Sequence, residues 1–172
     1  MPGPSTNTTG LAPGRYLALT TAQLKGLRAT KGDPARRDHT RQLAASGGCD
    51  ALDVGDAWFF LNWLGGADVA CGRALHKGQM TRIELLDPAK LAAALVKLGA
   101  LDLKAAFFAI DEQAFRYSNV AFWVAEQWQK EGRKTVLDDH VFARVEHALG
   151  SLAPFVAKAT ASDKDVLFMT SF

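Results

Sequence analysis

Cysteine is scarce in this chain: Cys49 and Cys71 are the only two among 172 residues. Two thiols make no disulfide framework, and neither belongs to a CxxC or CxxxH arrangement. Both therefore read as reduced and structural, and no metal site is expected. Charge of one sign is also in short supply. Twenty Lys and Arg stand against eighteen Asp and Glu, a net +2. That balance is too small to argue for nucleic acid or an anionic membrane. No basic cluster interleaves with aromatics as a strand-binding groove requires. Arg36, Arg37 and Arg41 come nearest, and they read as a solvated helix face. No uncharged run is long enough to cross a bilayer. Residues Met1 to Gly10 lack the charged start and apolar middle of an export signal, so the cytoplasm is the expected address.

Catalytic signatures are missing as well. There is no Gly-x-Ser-x-Gly elbow, and neither Gly47-Gly48 nor Gly65-Gly66 leads into the Gly-Lys-Ser/Thr of a phosphate cradle. Cys71 with His76, or Cys49 with His39, would be a thiol–imidazole pair, but nothing local supports either. No cofactor is implied.

What the chain does have is apolar mass. Hydrophobic residues make up 48% and charged residues 22%, the proportions of a globular protein with one sizeable core. The densest stretch runs from Asp53 to Gly66 and holds Trp58, Phe59, Phe60, Leu61, Trp63 and Leu64. It reads as a helix capped by Asp53 and stopped by the glycine pair. A helix apolar nearly all round is central in a core or also touches a partner.

Around it the spacing predicts a strand over 15–20 and a helix capped by Thr20 or Thr21. A polar helix follows from Asp33-Pro34 to about Ser46. Residues 67–80 carry no decisive pattern, though 70–75 are compatible with a short helix, and Arg82 to Leu86 reads as a strand or an extended lead-in. Asp87-Pro88 opens a helix with Leu91, Ala94, Leu95 and Leu98 on one face. Asp102 and Asp111 start short helices, and Asp138-Asp139 a long one reaching Ala159, with a bend or break possible at Pro154. The chain closes on the strand Val166 to Phe172, for which the first strand is the natural partner. The expected architecture is α+β: a helix-rich single domain over 14–172, after a flexible tail over 1–13. Its small, mainly antiparallel sheet includes both terminal strands.

The order of these pieces resembles the YfbM-like family, a bacterial domain of unknown function. Leu52-Asp53 with Trp58, Leu61 and Gly65 is similar to its Leu-Asp-x-x-Trp helix ending in Gly. Leu86-Asp87-Pro88 with Leu91, Ala94 and Leu95 is similar to its Leu-(Ser/Thr/Asp)-Pro helix. Tyr117 and Trp128 stand near the family's Tyr and Trp. Phe142, Leu149, Leu152 and Phe155, then Asp165 to Phe168, are similar to the closing helix and strand. The resemblance spans about residues 14–172 and implies an α+β fold; it supplies no activity.

Two functional classes follow. The first is a non-catalytic protein-binding domain, most concretely an immunity protein that occludes a bacterial toxin. It would use an aromatic anchor and a charged rim, for which Trp123, Trp128, Asp138 and Asp139 are the candidates. The second is a small hydrolase using Asp139, His140 and His147. Asp138-Asp139-His140 is also ordinary helix-start chemistry. His140 and His147 are seven residues apart, too far for the four-residue zinc pair. Nucleic acid and membrane are not expected partners.

Overall fold

The computed structural model describes residues 13–77, 81–118 and 128–171. Strand β1 (Gly14–Leu19) leads into α1 (Thr21–Ala29) and α2 (Asp33–Ala45), then β2 (Asp50–Gly55) and α3 (Ala57–Gly65). A 3-10 turn (Ala67–Val69) precedes β3 (Arg73–Lys77) and β4 (Thr81–Leu85). Helices α4 (Pro88–Gly99), α5 (Leu103–Phe108), α6 (Glu112–Arg116) and α7 (Asp139–Ala161) follow, and β5 (Asp165–Ser171) completes the sheet. Among the described residues no helix is long and apolar enough to cross a membrane.

The five strands lie in the order β2-β1-β5-β4-β3, every neighbour antiparallel. The two terminal strands pair at the centre, with Tyr16 opposite Phe168 and Leu17 opposite Leu167, as the α+β reading expects. Alternation along β1 sorts its side chains to two faces. Leu17 and Leu19 meet Leu24 and Leu27 of α1, with Ile83, Leu167 and Met169, in a smaller core. Tyr16 and Ala18 face the larger core built by α3, α4 and α7.

Local chemistry explains most helix starts. Thr20 and Gln23 form a capping box at α1. Asp87, Asp102, Asp111 and Asp138 each accept a main-chain N–H of the helix they precede. Pro154 lies inside α7 without ending it.

Two sequence readings give way. Asp53 does not cap the Trp helix; it is in β2, opposite Arg15, and the two side chains form an ion pair. The helix starts one residue after Asp56. An extended 50–55 completes the hydrogen bonds of β1, which a helix starting at Asp53 would leave open. Residues 73–77 are likewise a strand, where 70–75 are compatible in sequence with a short helix. Here β4 needs an outer neighbour, and Gly72 permits the close approach: a Cβ there would stand 2.1 Å from the Leu85 carbonyl oxygen. The expected tail falls, apart from Pro13, outside the described residues.

Candidate functional site

The start of α7 was the most reactive-looking stretch. Its residues divide by role. Asp138 accepts the Val141 N–H at 2.8 Å and pairs with Arg133 at 3.3 Å, so it organises the helix start. Asp139, His140 and His147 are exposed, and no hydrogen bond joins them to one another among the described residues. No group of three His, Cys, Asp or Glu able to hold a metal ion occurs among the described residues.

The aromatic candidates are redistributed. Trp128 is fully buried, with its ring 6.0 Å from Phe60 and 6.4 Å from Phe115. It is a core residue and cannot anchor a partner while the domain is folded, because enclosing so large a ring is what stabilises the core. Trp123 lies outside the described residues. Among the described residues the accessible large rings are Trp63, Phe108 and Tyr117, at 39%, 40% and 74% exposure. Trp63 meets Phe115 edge-on at 5.4 Å. Phe108 lies 6.0 Å from Phe142, one turn after Asp139, and Lys104 Nζ stands 5.9 Å from the centre of the Phe142 ring. Glu112 of α6 accepts from Thr135 Oγ1 and the Val136 N–H, both at 2.8 Å. These bonds tie α6 to the segment that leads into α7.

Sequence spacing missed the constellation at α2 and β3. His76 Nε2 bonds Asp33 Oδ1, and Arg36 Nη1 donates to His76 Nδ1 at 2.7 Å. Arginine only donates, so Nδ1 carries the lone pair and Nε2 the proton. Both ring nitrogens are thereby committed within the protein, and neither can serve as a base for a substrate. Arg36 also donates to the Thr30 carbonyl at 2.8 Å, and the Thr30 hydroxyl bonds His39 Nδ1 at 2.8 Å. His76 follows Asp33 by 43 positions, so no local motif could have exposed the pair.

The thiol–imidazole pairings do not form. Cys71 Sγ accepts from Arg82 Nη2 at 3.0 Å, and Arg82 Nε donates to the buried Glu84 at 2.6 Å. Glu84 also takes the Gly72 N–H at 2.5 Å, fixing the turn into β3. Cys49 is buried among the apolar residues of the smaller core, and burial pushes its thiol pKa up. Tyr16 donates to the Val69 carbonyl at 2.8 Å, and enclosure drives its phenol far above the usual range.

Like Glu84 with Arg82, a second buried carboxylate is held by an arginine. Asp56, 2% exposed, meets Arg144 of α7 at 3.0 Å. Burial nevertheless raises the Asp56 pKa, because desolvation outweighs the attraction of Arg144. The pair bolts α3 to α7.

A five-stranded antiparallel sheet with α1 packed on one face and α3, α4 and α7 on the other has a counterpart among solved structures. The fold is similar to that of YfbM. The crystal structure of YfbM from Escherichia coli, a protein of unknown function, superposes with a TM-score of 0.57. The match covers 92% of this chain and 99% of YfbM at 12% sequence identity. No family model matches the chain, and no curated protein does. The likeness to YfbM is one of fold, as the ordered Leu, Trp and Asp-Pro signatures implied, and it assigns no chemistry to any residue.

Proposed function

We propose that this chain is a protein-binding domain without catalytic chemistry, most concretely an immunity protein that occludes the active cleft of a cognate toxin. The observation that carries this reading is the surface where α5 meets the start of α7. There Phe108, 40% exposed, lies 6.0 Å from Phe142, whose ring centre Lys104 Nζ approaches to 5.9 Å, and the exposed Asp139 stands one turn before Phe142 on α7. A ring with a rim of charge is the composition of an interface anchor. The commitment of both His76 nitrogens to Arg36 and Asp33 supports binding over catalysis. A hydrolase built on Asp139, His140 and His147 would need those side chains to converge, and all three stand exposed on α7 without mutual hydrogen bonds.

The test is coexpression with proteins encoded beside this gene, followed by copurification and a growth assay. The expected result is a stoichiometric complex that relieves toxicity. Phe108→Asp is expected to weaken it at least about tenfold, the equivalent of about 1.4 kcal/mol. Val96→Asp, on the 74% exposed outer side of α4, leaves it intact. Failure of every co-encoded protein to bind the wild-type chain refutes the reading.

A further inference from the structure

The two edges of the sheet are not equivalent. Both edge strands carry a bulge, β3 between Ala74 and His76 and β2 between Asp53 and Gly55, so what separates the two edges is charge. Arg73 and Lys77 add positive charge to β3, and Asp33 of α2 is tied to His76 across the strand. Unpaired positive charge is a device that blunts an edge. At β2 each carboxylate has a cation beside it. Asp53 is held by Arg15, and Asp50 by Lys158 and Lys164, both at 3.1 Å.

The hydrogen-bond phase of the sheet shows what β2 presents outward. Leu86 N–H donates to Val166 O at 3.0 Å, continuing the β4–β5 ladder beyond Leu85 and Leu167. In an antiparallel ladder each residue points its N–H and C=O the same way, and the direction alternates along the strand. Leu167 and Met169 therefore bond toward β1, and Leu17 and Arg15 answer them. Tyr16 and Ala18 bond toward β2, where they meet Leu52 and Asp50. The N–H and C=O of Ala51 and Asp53 consequently face away from the sheet. Neither residue's main chain has a hydrogen-bond partner among the described residues, and both residues are exposed.

We infer that β2 is a pairing edge for a second copy of this chain, antiparallel and with Leu52 on the two-fold axis. Three two-fold registers are available to so short an edge, and the charges and donors choose among them. Centring on Asp53 sets two carboxylates face to face, which like-charge repulsion disfavours. Centring on Ala51 sets Asp53 opposite Cys49, whose N–H is already given to Leu43 O at 3.2 Å. Centring on Leu52 sets Ala51 opposite Asp53 of the second copy, twice over, and uses every outward donor and acceptor of both residues. It also brings the two Leu52 side chains together beside the larger core, against which each is already packed. The result is one continuous sheet across two molecules, formed at a face remote in sequence from Phe108 and Asp139. It does not depend on the proposed toxin.

Sedimentation velocity over about a hundredfold range of concentration tests this, since strand pairing buries less than a standard interface and dimerises by mass action. The wild-type mass is expected to rise from monomer toward dimer. Ala51→Pro removes an outward N–H without touching the β1 ladder, a position where edge strands accept proline. It is expected to stay monomeric with an unchanged circular dichroism spectrum. Ala51→Asp, which sets a carboxylate opposite Asp53 of the second copy, is expected to abolish the dimer, and Ala51→Lys to retain it. These two charge variants leave the backbone alone and decide the matter if the proline variant does not fold. A wild-type monomer at every concentration overturns the inference, as does an Ala51→Asp variant that dimerises like wild type.

Discussion

Replacing Arg144 by methionine keeps the aliphatic stem but strands the carboxylate of Asp56 in the protein. Breaking one side of a buried ion pair costs about 3–5 kcal/mol, because the remaining charge has lost both water and partner. Asp56 is 2% exposed, but the Arg144 side chain retains 32% exposure. The expected loss therefore lies at the lower end, about 3 kcal/mol. In a chain of this size that corresponds to a fall of about 6–12 °C in Tm.

The loss depends on pH, and its sign follows from burial. Desolvation places the folded pKa of Asp56 above its ordinary value of 3.8 even with Arg144 present. A carboxyl raised on folding favours the native state fully when protonated, below its unfolded pKa. That contribution disappears as pH climbs through the folded pKa. Removing Arg144 drives the folded pKa higher still. The deficit of Arg144→Met is therefore largest near about pH 7 and shrinks toward about pH 4, as Asp56 takes up its proton and needs the cation less. Urea unfolding at both pH values measures it, with m-values checked for constancy. The double variant Asp56→Asn, Arg144→Met is expected to recover about 2 kcal/mol, because no buried charge remains. An equal deficit at both pH values, or no recovery in the double variant, would refute the argument and assign the effect to packing of the arginine stem.

Two further outcomes are expected. Gly65→Ala places a methyl 2.7 Å from Leu98 Cδ1 and 2.8 Å from Val69 Cγ2. Overpacking of about 1–3 kcal/mol outweighs a helix-propensity gain of about 1 kcal/mol, so a lower Tm is expected and a higher one contradicts the contact. Glu112→Gln acts with the opposite pH sign to Asp56. Burial opposes ionisation of Glu112, but its bonds from Arg116, Val136 and Thr135 prevail and hold its pKa below 4.5. Its contribution is present above the unfolded pKa and lost as pH falls through the folded one. Chemical denaturation should show a deficit of about 1–2 kcal/mol near neutral pH that fades in acid; a deficit persisting in strong acid speaks against it.

The helices were the most legible elements because their determinants are local. A carboxylate at Asp87, Asp102, Asp111 or Asp138 bonds the turn that follows it, and apolar spacing marks the buried face of α4 and α7. The terminal strands were legible for a related reason: two apolar runs with open main-chain groups need each other. The edge strands were not. Whether 50–55 and 73–77 extend depends on the neighbours already in the sheet, β1 and β4, and Gly72 matters only because Leu85 passes so close. The site was less visible still. Trp128 and Trp63 are the same residue type, yet one is enclosed by Phe60 and Phe115 and the other reaches solvent.

By itself the order of residues determined a helix-rich α+β protein whose two ends meet in a sheet, because capping and amphipathic periodicity act over one or two turns. The tertiary structure alone decided which polar groups converge. Asp33 with His76, Asp56 with Arg144 and Arg15 with Asp53 are distant in the chain. Electrostatics and hydrogen bonding act through space, so only the folded backbone could bring these partners into range.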